Sequence, residues 1–89
     1  MRNILLISSL VMLSPLALAG PQCTEEAKDK WQDQEKFQAD LKEQGYKIKK
    51  FKVTKGSCYE IYGWNKEGKK VEIYYNPVNG DVVKEEIDD

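Results

Sequence analysis

Two cysteines, Cys23 and Cys58, and two glutamates, Glu60 and Glu72, are the groups of this 89-residue chain that first invite a chemical reading. Neither pair makes a catalyst. The chain has no histidine, and its single arginine, Arg2, lies in the opening apolar stretch, so the usual proton shuttle is missing. Ser57 falls in a predicted turn without a base to activate it. Glu60 and Glu72 fall on consecutive predicted strands. Two solvated acids flanked by lysines is the simpler reading there, because an acid/base dyad needs a pocket that so small a sheet hardly provides. The acids near the end (Asp81, Glu85, Glu86, Asp88, Asp89) match no closed loop of calcium ligands. No catalytic residue, cofactor site or metal site is assigned, and the chain is read as not an enzyme.

The cysteines have a different use. Thirty-four residues separate them and no histidine completes a zinc set, so a metal pair is disfavoured. The opening MRNILLISSLVMLSPLALA has the parts of a secretory signal: Arg2, an apolar run from Ile4 to Leu18, and Ala17-x-Ala19 ahead of Gly20. Cleavage after Ala19 is expected. The apolar run is shorter than the ~20 residues of a spanning helix, and Cys23 lies too far past Gly20 for a lipidated cysteine. Residues 1–19 are therefore read as the signal, and residues 20–89 as one periplasmic or secreted domain with no membrane insertion after cleavage. In an oxidising compartment a Cys23–Cys58 disulfide is the default, and closing its loop is worth on the order of 3–4 kcal/mol. At 70 residues the domain needs such a staple.

Charge narrows the partner. Without Arg2 the chain carries 13 lysines and 15 acids, a net of −2, with the signs interleaved. Nucleic acid is not expected, since phosphate recognition favours an unbalanced basic face.

The elements that must position these residues are legible. TEEAKDKWQDQEKFQADLKEQ, Thr24 to Gln44, lacks proline and glycine and reads as helix, with apolar residues at 27, 31, 37, 39 and 41 and Gly45 as the stop. Two versions compete: one helix throughout, or a short turn carrying Trp31 followed by a helix from about Asp33, with Asp33 as its cap. The second is preferred, because 31 to 37 is not an i, i+3 or i+4 step. Then YKIKKFKVT alternates with a parity slip at Lys49-Lys50, the mark of a β-bulge. Glycine-containing turns at TKGS, NKEG and NPVNGD lead into CYEIYGW, KKVEIYYN and VVKEEI. The expected fold is α+β, an N-terminal helix packed on one face of a four-stranded antiparallel meander, with the acidic residues 84–89 left as a tail.

Alternation sorts the faces. Tyr59, Ile61, Val71, Ile73 and Tyr75 go to the core beneath Phe37 and Leu41, with Glu60 and Glu72 assigned to water. Tyr62, Trp64 and Tyr74 then stand on the uncovered face as the candidate protein-binding residues. The competing reading is that the stems of Lys47, Lys49 and Lys70 cover these rings, with no partner involved.

The ordered set Gly45-Tyr46, Cys58-Tyr59-Glu60-Ile61-Tyr62, Gly68-Lys69 and Asn76-Pro77-Val78-Asn79-Gly80-Asp81-Val82-Val83 resembles the PepSY family, in its small exported single-domain form. There the closing motif usually reads aspartate-proline-x-threonine-glycine-glutamate-valine-valine. Asn76, Asn79 and Asp81 depart from it but keep the turn. The resemblance implies an α+β fold and no catalytic residues. It also implies binding of a protein, with inhibition or regulation of a cell-envelope peptidase as the proposed role. The alternative is a structural or sensory envelope component that binds a membrane-protein partner or a small ligand.

Overall fold

The computed structural model describes residues 20–88, and the expected signal, residues 1–19, lies outside the described residues. Asp33 starts the only α-helix among them: its carboxylate accepts the Lys36 N–H at 2.9 Å, leaving α1 to run Gln34–Glu43. The end is a Schellman arrangement. Gly45 at φ +106° donates to the Lys42 carbonyl, and Tyr46 to that of Leu41. Only Phe37 and Leu41, one turn apart, are buried, and Ala27 and Ala39 of the expected stripe are exposed. The helix is therefore not N-terminal. An extended segment from Gly20 and a 3-10 turn, Lys28–Lys30, precede it, as the spacing of Trp31 and Phe37 had suggested.

Four strands follow in chain order and pair as neighbours, β1 (Lys47–Val53), β2 (Tyr59–Trp64), β3 (Lys70–Tyr75) and β4 (Val82–Asp88), all antiparallel. The parity slip is a bulge between Ile48 and Lys50. It brings the Lys47 carbonyl down onto Gly63, where an added Cβ would stand 1.9 Å from the oxygen, so glycine alone fits opposite the bulge. A second irregularity between Tyr74 and Tyr75 admits β4, which carries the acidic end of the chain into the sheet as far as Asp88.

Phe37, Leu41, Tyr59, Ile61, Val71, Ile73 and Tyr75 form the core, with half-buried Trp31, Tyr46, Ile48 and Phe51 packed around it. Phe37 is its centre: its ring lies 5.0 Å from Tyr75, 5.1 Å from Tyr59 and 6.4 Å from Phe51, in the tilted and edge-on geometries aromatic quadrupoles favour. Every residue of β4 is exposed, including Val82 and Ile87 at 53% and 49%. A ten-residue helix does not reach across four strands.

The disulfide Cys23–Cys58 is formed. It ties the first described residues across the end of the sheet at which β2 starts, where Cys23 donates to the Gly56 carbonyl at 2.9 Å and Asn76 to that of Cys23 at 3.1 Å. Gly56 permits this approach, since a Cβ there would meet the Pro21 carbonyl at 2.1 Å.

Candidate functional site

Strand pairing fixes the sheet face opposite the helix as a grid, because residues paired across strands share a face. One row reads Lys47, Trp64, Lys70, Asp88; the next Lys50, Tyr62, Glu72, Glu86; the third Lys52, Glu60, Tyr74, Lys84. The β1 column is wholly lysine. The β4 column is acidic in the first two rows. Between them Trp64, Tyr62 and Tyr74 supply the aromatic surface, so the three candidate residues do lie on one face.

They are half-buried rather than standing free in solvent. The Lys50 ammonium sits 5.9 Å from the centre of the Tyr62 ring, and that of Lys84 6.0 Å from the Tyr74 ring. These are not the lysines the sequence suggested for those rings: the bulge at Lys49 sets Lys50 opposite Tyr62, and the β3–β4 register sets Lys84 opposite Tyr74. Lys47 and Lys70 do flank Trp64. At this end the face opens into a groove of about 470 Å³, in which Tyr62 and Trp64 of β2 lie between Lys49 on the β1 side and Lys70, Glu72, Glu86 and Asp88 on the β3 and β4 side.

The larger correction concerns Glu60. Assigned to water, it is 1% exposed. It lies on the face opposite the helix, at the end the disulfide crosses, and Gly20 packs against the ring of Tyr74, its cross-strand partner. Its Oε1 lies 3.9 Å from the Lys52 ammonium, a long contact, and its Oε2 has no hydrogen-bond partner. Burial and the adjoining Glu72 carboxyl hold Glu60 above the usual carboxylate range, so it keeps its proton more readily. Glu72 is pushed the other way, chiefly by its interaction with the Glu60 carboxyl and also by Tyr74, whose hydroxyl donates to its Oε2 at 3.0 Å. Tyr62 is raised mainly by its interaction with the Glu60 carboxyl, and Tyr74 mainly by burial. The carboxyls of Glu60 and Glu72 and the phenols of Tyr62 and Tyr74 thus form one electrostatic unit, with Tyr74 inside it and Trp64 outside.

The sequence reading missed this unit. The available signal was parity: Glu60 shares its face with Cys58, and a disulfide there must draw chain over the neighbouring position. Among the described residues no three acidic, histidine or cysteine groups converge to hold a metal ion, and no helix is long and apolar enough to cross a membrane.

A short helix over a four-stranded meander, closed by one disulfide and carrying an aromatic and charged outer face, is a small α+β module. Over residues 3–86 the chain matches the family described as peptidase propeptide and YPEB domain, PepSY_2, and it belongs to that family. No curated protein and no solved structure matches it. Membership points to a propeptide-like or inhibitor-like role in relation to peptidases.

Proposed function

We propose that the protein is a non-enzymatic domain, exported with cleavage after Ala19, that binds an extended segment of a cell-envelope peptidase and restrains it. The observation that carries this reading is the groove floored by Tyr62 and Trp64 between opposite charges. An extended chain laid there buries side chains on the two rings, and its own charges meet the lysines and the acids in a fixed direction. Family membership supports a peptidase as the partner, and the disulfide fits an oxidising compartment. Tyr74 is less suited to contact than Tyr62 and Trp64, because its hydroxyl is engaged by Glu72 and its ring by Gly20 and Lys84.

Titration of the oxidised protein into the peptidase fraction of the native envelope, followed by hydrolysis of a casein substrate, tests the proposal. Inhibition that saturates with dose and is lost in Tyr62→Ala/Trp64→Ala, with the fold intact by circular dichroism, is expected. Proteolysis unchanged at saturating protein refutes the peptidase reading. Inhibition retained by the double variant moves the contact to the edges of β1 or β4, where unpaired backbone groups can receive a strand.

A further inference from the structure

The buried Glu60 carboxyl lacks a close cation. Lys52 reaches it from β1 only at 3.9 Å, and Lys84 on β4 is spread between the Tyr74 ring and Glu86, whose carboxylate it meets at 3.4 Å. From β2 and β3 the groups facing Glu60 are Tyr62, Tyr74 and Glu72, which bring no positive charge. Yet Glu60 Oε2 is buried without a partner, an arrangement that costs free energy unless a donor arrives.

Gly20 packs against the ring of Tyr74, the cross-strand partner of Glu60. A Cβ built on Gly20 would stand 3.5 Å from the Tyr74 hydroxyl, which itself donates to Glu72 at 3.0 Å and belongs to the residue paired with Glu60. The nitrogen and Cβ of a residue are bonded to the same Cα, about 2.5 Å apart, so the Gly20 nitrogen lies within about 6 Å of that hydroxyl. In the uncleaved chain this nitrogen is a neutral amide. After cleavage between Ala19 and Gly20 it is an ammonium with three donors, on a glycine whose lack of a side chain leaves it free to turn toward the carboxyls. The strap is held in place by the disulfide, by Cys23 on Gly56 and by Asn76 on Cys23.

We propose that Glu60 and Glu72, with the Tyr74 hydroxyl, form a seat for the chain's own α-ammonium at Gly20, so that removal of residues 1–19 completes a buried ion cluster and locks the strap onto the sheet. The inference rests on the export reading above. It makes processing a folding event: the exported form gains an interaction that the precursor cannot make. The sign is definite. An ammonium held by carboxylates has its pKa raised on folding, so its stabilisation is present in full below the ordinary value of about 7.7–8.0 and is lost as pH rises through the raised one.

The test uses the full chain expressed with its leader and labelled with ¹⁵N-glycine. Intact mass of the exported product gives its first residue, and an NMR pH titration of the amino-terminal nitrogen gives its pKa. A product beginning at Gly20 is expected, with an α-amine raised by at least about one unit, a tenfold change in its dissociation constant. Inserting one glycine between Ala19 and Gly20 moves the charge by about 3.8 Å and should return the pKa to its ordinary range. The natural product's melting temperature should fall between pH 8 and pH 10, and that fall should be lost in the insertion variant and in Glu60→Gln. A product beginning elsewhere overturns both the cleavage reading and the seat. A product beginning at Gly20 with an ordinary α-amine, or with a raised one that survives the insertion, overturns the seat alone.

Discussion

Replacing Phe37 by alanine tests whether one helical side chain organises the core. The ring is buried and touches Phe51, Tyr59 and Tyr75, so it bridges β1, β2 and β3 from the helix. Truncating a buried phenylalanine costs about 3–5 kcal/mol, the larger figure where the walls cannot collapse. Here the walls are strands held in register and rings that each lose an aromatic partner, so about 4 kcal/mol is expected. A domain of about seventy residues has a total stability of roughly 4–10 kcal/mol, and Phe37→Ala should consume about half of it or more. Urea unfolding followed by Trp31 emission, a fair reporter because its indole packs edge-on against Tyr59 at 5.8 Å, gives the number. The midpoint should fall with the slope unchanged. Gln38→Ala, at the next position and bonded only within its own helix, should shift stability by less than about 0.5 kcal/mol. If Phe37→Ala costs under about 1 kcal/mol, or no more than Gln38→Ala, the helix is not docked through this ring and the assignment of the core fails.

Leu41→Ala, one turn further on, should cost about 2–4 kcal/mol by the same unfolding measurement. Cys58→Ser opens a loop spanning a sequence separation of 35 and should lower stability by about 3–4 kcal/mol, and an alkylation mass shift on the native protein without reductant should be absent. Gly63→Ala sets a methyl against the Lys47 carbonyl and should cost on the order of 1–3 kcal/mol, with loss of amide protection concentrated at Ile48 and Lys50. Asp33→Ala removes the cap on α1 and should cost about 1 kcal/mol, read as faster amide exchange at Lys36.

The elements and the disulfide were legible from local signals. Asp33, Gly45, the parity slip at Lys49-Lys50 and the three turns are local signals, written in residues that cap, bend or interrupt a hydrogen-bonding pattern within a few positions. The helix start, the bulge and the four strands follow from them. The pairing of Cys23 with Cys58 needed only a count and a compartment. Face assignment also followed from alternation, which is why Phe37, Leu41, Tyr59, Ile61, Val71 and Ile73 were placed in the core.

Depth on the second face was a different matter. Alternation says which side of a sheet a residue faces, but says nothing of what lies on top of it. Glu60 and Trp64 sit on the same face of the same strand, four residues apart. One end of that face lies beside the strap held by Cys23 and the other opens into the groove, so it is the packing of distant chain that shields Glu60 from water. The same holds for the lysines. Lys50 and Lys84, outside the expected set of Lys47, Lys49 and Lys70, meet Tyr62 and Tyr74, because register across strands depends on where bulges fall on both partners. The chain that reaches this end of the face comes from far along the sequence, as where Pro21 meets Cys58 across 37 positions, and alternation alone does not report it.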